Sequence, residues 1–119
     1  MNSLLIRPAE SDNRSSQKPA SVAMETVTLD AFAQEFHLRP NAIKIDVEGA
    51  ELWVLQGAKG LCERVRPVLM VAVHPPWLPD GQTPEDVFAL LRTYSYRIVD
   101  SHSLFYDGAD FGDYLCVPE

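Results

Sequence analysis

The sequence predicts an α/β fold in which the strands of a mostly parallel sheet alternate with helices that cover its two faces. Three observations lead to this class. Residues 42–57 (AIKIDVEGAELWVLQG) change from an apolar spacing of two to one of nearly four, as a strand leading directly into a helix would. Residues 68–73 (VLMVAV) form a continuous apolar run bounded by prolines, which is typical of a strand buried on both faces. Strand-like and helix-like segments also alternate from residue 22 onward.

The composition fits one small folded domain or a piece of a larger one, and it argues against several classes of protein. Hydrophobic residues make up 46% of the 119 residues, which is enough for a packed core. The net charge of -7 argues against a nucleic-acid partner, which would require a basic surface. There is no run long enough for a membrane span and no signal-peptide core, so we expect a cytoplasmic protein that does not bind membranes. Cys62 and Cys116 are expected to be reduced core thiols, because no CxxC or Cys/His cluster suggests a zinc site.

Residues 1–21 predict a short strand followed by a mobile polar loop. Residues 4–6 (LLI) are apolar enough for an edge strand. Residues 8–20 are rich in Ser, Asp, Asn, Gln and Pro, which favour irregular loops. We therefore expect the folded domain to span residues 22–119.

A strand and a helix should open this domain. Residues 21–28 alternate, with Val22 and Met24 on one face, which indicates a half-exposed strand. Thr28 is suited to the N-cap of the following helix, and Asp30 in the first turn suits the positive end of the helix dipole. The apolar stripe of this helix consists of Leu29, Phe32, Ala33 and Phe36.

A sharp acidic turn joins the central strand to its helix. The strand stops at Asp46 and Glu48, and Gly49 allows the chain to turn. A glycine inside a helix costs about 1 kcal/mol relative to Ala, so we expect a break near Gly57 and a second helical segment after it. Glu51, at the start of the helix, is expected either to be solvated or to contact the preceding turn.

The remaining elements follow the buried apolar run. His74 comes directly after that run and opens a rigid Pro-rich loop. The sequence TPED at residues 83–86 predicts a helix start with a capping box. We expect a strand at residues 97–99, a loop that includes residues 107–108 and 111–113, and a last strand at residues 114–117 that is antiparallel to a neighbour.

Several of these segments together resemble a known family. The sequence IKIDVEGAELWVLQGA, preceded by TLD at residues 28–30 and followed by RPVLMVAVH, resembles the FkbM family of S-adenosylmethionine-dependent methyltransferases. The likeness runs from about residue 22 to the end. It implies the C-terminal half of a class I methyltransferase domain, with a three-layer Rossmann-like sheet from its fourth strand onward and an antiparallel last strand. It also implies transfer of a methyl group from S-adenosylmethionine to a hydroxyl of a sugar or secondary metabolite.

The family builds most of its cofactor site in an N-terminal half that has no counterpart here. The six glycines include no GxG for the cofactor-binding turn, and Ala72 stands where many members have a Glu. We therefore expect the first cofactor-binding strands to be missing and this chain to be inactive by itself. Residues that should pack against those strands would form an open apolar face, which predicts association with the missing N-terminal half or a homo-oligomer.

Asp46, Glu48 and His74 are the candidate catalytic residues, because they follow two neighbouring parallel strands at the sheet edge where such folds bind ligands. His74 would act as the base or orienting group for the acceptor hydroxyl, and the two acids would position His74 or the substrate. Asp46 is also the candidate contact to the cofactor. Alternatively, Glu48 only satisfies the helix dipole and His74 only caps a strand end. Trp77 either stacks on a sugar or macrocyclic acceptor or anchors its loop.

Two other kinds of function are also compatible with the sequence. The chain is alternatively a non-catalytic α/β interaction module, or the partner of a separately encoded cofactor-binding half. A metal-assisted hydrolase is the third reading, because the two carboxylates and the imidazole of the candidate site suit several divalent ions. We favour a metal-free methyltransferase site that acts on a small-molecule or glycan acceptor.

Overall fold

The computed structural model describes residues 3–6, 20–106 and 109–119. The regular elements are β1 (Ser3–Ile6), β2 (Val22–Glu25), α1 (Leu29–Glu35), β3 (Ala42–Ile45), α2 (Glu51–Gln56), β4 (Val68–Val73), α3 (Pro84–Thr93), β5 (Tyr96–Tyr106) and β6 (Ala109–Pro118). A π-helical turn covers Leu61–Val65, and a 3-10 turn covers Pro75–Trp77. The loop predicted at residues 8–20 lies outside the described residues except for Ala20.

Four of the described strands form a mixed sheet with the order β3-β4-β6-β5. Strands β3 and β4 are parallel, whereas β6 lies between β4 and β5 and is antiparallel to both. The mixed α/β class and the antiparallel last strand are therefore confirmed. Strands β1 and β2 form a separate antiparallel pair.

The core lies between one face of the four-stranded sheet and the helices α2 and α3, which pack against each other. Along β4, Leu69, Val71 and Val73 point into this core and are buried. Met70, on the opposite face, is 44% exposed. The prediction that this strand is buried on both faces is therefore wrong at Met70, because the second face of the sheet is open at that position.

The helix ends follow the sequence signals closely. Thr28 caps α1 by accepting a hydrogen bond from the Ala31 amide at 3.1 Å. The helix α2 ends at Gly57, as predicted, and a second helical segment follows. In α3, the capping box predicted from TPED is present, with the Thr83 amide donating to Asp86 Oδ2 at 2.8 Å.

The C-terminal hairpin is longer than predicted. Strand β5 begins at Tyr96 and β6 ends at Pro118, with a bulge between Ile98 and Asp100. Residues 107–108 of the predicted loop lie outside the described residues. The prediction of a loop at residues 111–113 is wrong, because these residues belong to β6. The backbone of Gly112 pairs with Val73 on one side and with Ser103 on the other, so strand pairing outweighs the local turn propensity of glycine.

The first elements of the domain are more exposed than predicted. Val22 and Met24 are 56% and 51% exposed, so the strand that should be half-exposed has no buried face. In α1 only Ala33 is buried, while the adjacent rings of Phe32 and Phe36 remain exposed. The reason is that β2 pairs with β1 and does not join the main sheet. Among the described residues, no helix has the length and apolar character that crossing a membrane requires.

Candidate functional site

The parallel strands β3 and β4 bring two of the predicted site residues together. Ile45 pairs with Val71, so both strands end at the same edge of the sheet. Asp46 follows β3 and His74 follows β4, and the Oδ1 atom of Asp46 lies 3.4 Å from Nε2 of His74. The side chain of His74 is largely buried, whereas that of Asp46 is 47% exposed. The site therefore has a sheltered imidazole beside an accessible carboxylate.

Glu51, the first residue of α2, is the acid that binds His74 from the other side. Its side chain is fully buried, and its Oε1 atom lies 2.6 Å from Nδ1 of His74. The same Oε1 accepts a hydrogen bond from the Gly49 amide at 3.0 Å. The contact to the preceding turn confirms one of the two expectations for Glu51, and its burial shows that the solvated alternative is wrong.

Sequence reasoning did not select Glu51 as a site residue, although a signal was present. Glu51, Leu55, Ala58 and Cys62 are spaced as one helical face and are all buried. Val54, Ala58, Leu61 and Val65 also have a helical apolar spacing, which predicts a buried face through Val54, but Val54 is only partly buried. An acid in phase with buried apolar residues is expected to have a specific partner, because an unpaired buried charge is costly.

Glu48 does not join the group around His74. It has a left-handed backbone conformation with φ of 51°, and its side chain is exposed. Within the described residues it makes no hydrogen bond and no ion pair. The alternative for Glu48 is that it only satisfies the dipole at the start of the helix. The acid in the first turn of α2 is Glu51, and Glu48 lies before that turn.

Trp77 packs on the imidazole and on the acidic turn. Its ring stacks on His74 with centroids 5.2 Å apart and an interplanar angle of 23°. Its carbonyl oxygen touches Gly49 so closely that a Cβ atom there would lie 2.1 Å away. Trp77 remains 52% exposed, so it anchors the loop and also presents aromatic surface beside His74.

The charges at the site are predominantly negative. The carboxyl groups of Asp46 and Glu51 flank one imidazole, and Lys44 lies 3.9 Å from the carboxylate of Asp46 on the solvent side. In the part of the chain that the structure describes, no three His, Cys, Asp or Glu side chains are arranged to hold a metal ion. Asp46, Glu48 and His74 therefore do not form the ligand set that the hydrolase alternative requires.

A separate groove lies at the surface between α3 and β5. Its walls include Phe88, Leu91, Tyr96 and Ile98. None of the residues that line it belongs to the group around His74. We place the candidate site at the strand ends, because polar groups converge there and ligands bind at this edge of α/β sheets.

Fold and site together define an α/β protein with an imidazole and two carboxyl groups at the carboxyl edge of a parallel strand pair. The model of the Methyltransferase FkbM domain family matches residues 5–98 of this chain. The chain therefore belongs to the FkbM methyltransferase family, which confirms the resemblance. The match begins before residue 22, where the likeness was placed, and it ends within β5. A comparison with curated proteins finds no match.

Proposed function

We propose that this protein is part of a methyltransferase that transfers a methyl group from S-adenosylmethionine to a hydroxyl of a sugar or secondary metabolite. Membership of the FkbM family supports the reaction class. The observation that carries the proposal is the His74 ring held between Asp46 and Glu51 at the strand ends. A hydroxyl is a weak nucleophile at neutral pH, and an imidazole within reach of it is a suitable base.

This chain can supply one of the contacts that the methyl donor needs. When bound, S-adenosylmethionine supplies an electrophilic methyl group on a cationic sulfonium. The Asp46 carboxylate is exposed at the strand end, so it is available to a cationic or hydroxyl-bearing ligand. The sequence has no GxG turn for the remainder of the cofactor. We propose that residues 22–119 form the C-terminal half of the domain and that a cofactor-binding half completes the site.

In this proposal His74 takes the proton of the acceptor hydroxyl at Nε2. The carboxylate of Asp46, 3.4 Å from Nε2, stabilises the positive charge that the ring gains. Glu48, exposed on the adjacent turn, contacts the other hydroxyls of the acceptor. The exposed surface of Trp77 stacks on the apolar face of a sugar or macrocycle.

The replacement His74→Ala tests the base role. We expect methyl transfer to fall by about 10²- to 10⁴-fold, the usual contribution of a positioned base. The assay combines this chain with a cofactor-binding half, isotopically labelled S-adenosylmethionine and a panel of hydroxylated sugars and macrolides. His37→Ala is the matched control, because His37 is exposed and outside the site. Transfer by His74→Ala at the parent rate would refute the base role.

Cofactor binding by the chain alone tests the proposed division into halves. We expect calorimetric titration with S-adenosylmethionine to give no measurable heat, because the Gly-rich turn is not in this sequence. Addition of a cofactor-binding half should restore binding. A micromolar affinity of the isolated chain would contradict the division.

A second candidate function is a non-catalytic interaction module, which exposed apolar side chains favour. Phe32 and Phe36 on α1 and Met70 on β4 are each more than two-fifths exposed. A surface of this kind is typical of a protein-binding face. The occupant in this candidate is the cofactor-binding half or a second copy of the chain. Sedimentation of the chain with and without that half distinguishes the two occupants, and a loss of methyl transfer in His74→Ala would refute the non-catalytic candidate.

A further inference from the structure

The buried acid Glu51 has a contact pattern that a purely structural residue would not need. It is fully buried among core residues, yet its one bonded oxygen is directed at the candidate base. The other oxygen, Oε2, has no hydrogen-bond partner among the described residues. A carboxyl group in such a position is costly, because removal from water is only partly offset by its contacts.

The hydrogen bonds of Glu51 determine where the proton of His74 resides. Oε1 already accepts from the Gly49 amide, so it acts as an acceptor. Nδ1 of His74 lies 2.6 Å from the same oxygen. Both contacts are satisfied when Nδ1 carries the proton and donates it to Oε1. The opposite nitrogen, Nε2, then faces Asp46 across 3.4 Å.

We infer that Glu51 is a positioning residue that holds the proton of His74 on Nδ1 and directs Nε2 towards the reaction. The inference rests on the proposed base role of His74. Two features of the fold hold Glu51 in place. Its position at the start of α2 buries it against the core, and the left-handed turn at Gly49, with φ of 108°, aims the Gly49 amide at Oε1. Stacking of Trp77 on the ring limits rotation about the side-chain bonds of His74.

Nitrogen NMR of the chain labelled with ¹⁵N-histidine tests this assignment directly. The chain has three histidines, and His74→Gln identifies the signal of His74. Asp46 from the end of β3 and Glu51 from α2 both lie within ion-pair distance of this ring, and Lys44 lies next to Asp46. We expect the spectrum of the neutral ring to show a proton on Nδ1 and none on Nε2. Loss of the proton from Nδ1 would overturn the inference.

The variants Glu51→Leu and Glu51→Gln provide the second measurement. Leucine removes the acceptor of Nδ1, so we expect the proton to move to Nε2, which faces Asp46. Glutamine keeps an oxygen that can accept from both the Gly49 amide and Nδ1, so Glu51→Gln should retain the parent tautomer. The control Glu63→Leu changes an exposed acid on the π-helical turn and should leave the spectrum of His74 unchanged. An unchanged tautomer in Glu51→Leu would contradict the inference. If that variant does not fold, the tautomer of the parent protein still decides the assignment.

Kinetics of the assembled methyltransferase separate this inference from the proposed function. Glu51→Leu should lower kcat by at least about tenfold with little change in KM for the acceptor, because a base in the wrong tautomer cannot take the proton. Full activity of His74→Ala would refute the base role while leaving the tautomer result intact. A wild-type Nδ1 without a proton would refute the positioning role of Glu51 even if His74→Ala is inactive.

Discussion

At the scale of single residues, Gly49 connects the two loops of the candidate site. Its φ of 108° is a conformation that residues with a Cβ atom rarely adopt. Its amide donates to Glu51, and its α-carbon lies against the Trp77 carbonyl. The relative position of the acidic turn and the Pro-rich loop therefore depends on the absence of a side chain at this position.

The replacement Gly49→Ala should destabilise the protein by about 2–4 kcal/mol, because left-handed strain adds to an overlap with the Trp77 carbonyl oxygen. Urea unfolding measures the loss. Gly81→Ala is the matched control and should cost only about 1 kcal/mol, since Gly81 has φ of 84° but no atom within 4 Å of the place that a Cβ atom would take. Equal losses in the two variants would show that the contact with Trp77 has no effect on stability.

At the scale of elements, Asp30 joins α1 to the second helical segment. Its two carboxylate oxygens accept hydrogen bonds from the Gly60 amide at 2.7 Å and from the Leu61 amide at 2.8 Å. Its own amide donates to the Gly57 carbonyl at 2.9 Å. The sequence predicts an acid that suits the dipole of its own helix. In the structure the same side chain caps the π-helical turn Leu61–Val65, which begins about 30 residues further along the chain.

Asp30→Ala should lower the free energy of unfolding by about 1–3 kcal/mol, because it leaves two amides without their charged acceptor. Thermal and urea unfolding measure this loss. Asp80→Ala changes an exposed loop acid and serves as the control, with an expected change below about 0.5 kcal/mol. A loss in Asp30→Ala no larger than in this control would mean that water replaces the carboxylate at these amides.

At the scale of the whole molecule, the core joins elements from all parts of the sheet and encloses both thiols. Cys62 and Cys116 are free and buried, which confirms the prediction of two reduced core thiols. Burial, with a smaller contribution from the charge of Asp30, raises the pKa of Cys62 from 9.0 to about 11. Burial also raises the pKa of Cys116 from 9.0 to about 11. The folded protein therefore keeps both thiols protonated over a pH range in which the unfolded chain loses those protons.

This difference predicts that stability falls as the pH rises from about 9 to about 11. Below pH 9 the thiols are protonated in both states, and their stabilising contribution is fully present. Above pH 9 the unfolded chain loses these protons first, so this contribution is lost as the pH approaches the folded-state pKa values of about 11. The loss should be on the order of 2 kcal/mol for each thiol at pH 11. Urea unfolding at about pH 8, 9.5 and 11 measures this loss. Burial also raises the pKa of Tyr94 to about 12, so its contribution adds to the decline above pH 10.

The double variant Cys62→Ala and Cys116→Ala is the control for this pH effect. It should be less stable at pH 8, because two buried side chains are shortened, but its stability should fall less steeply between pH 9 and 11. A parent protein whose stability stays constant over this range would show that the thiols ionise equally in both states.

The sequence by itself determined the α/β class, the strand-to-helix turn after Ile45, the caps at Thr28 and residues 83–86, and the family. These features depend on neighbours within a few residues, through apolar spacing and capping groups. Tertiary structure decided the burial of Glu51, the exposure of Met70 and the extended pairing of Gly112. Each of these depends on which segment lies opposite, and distant parts of the chain supply that segment. Asp46 and His74 each follow a strand that the local apolar pattern reveals, so the sequence could place both at one sheet edge. Only the packing of α2 against that edge shows which acid holds the imidazole.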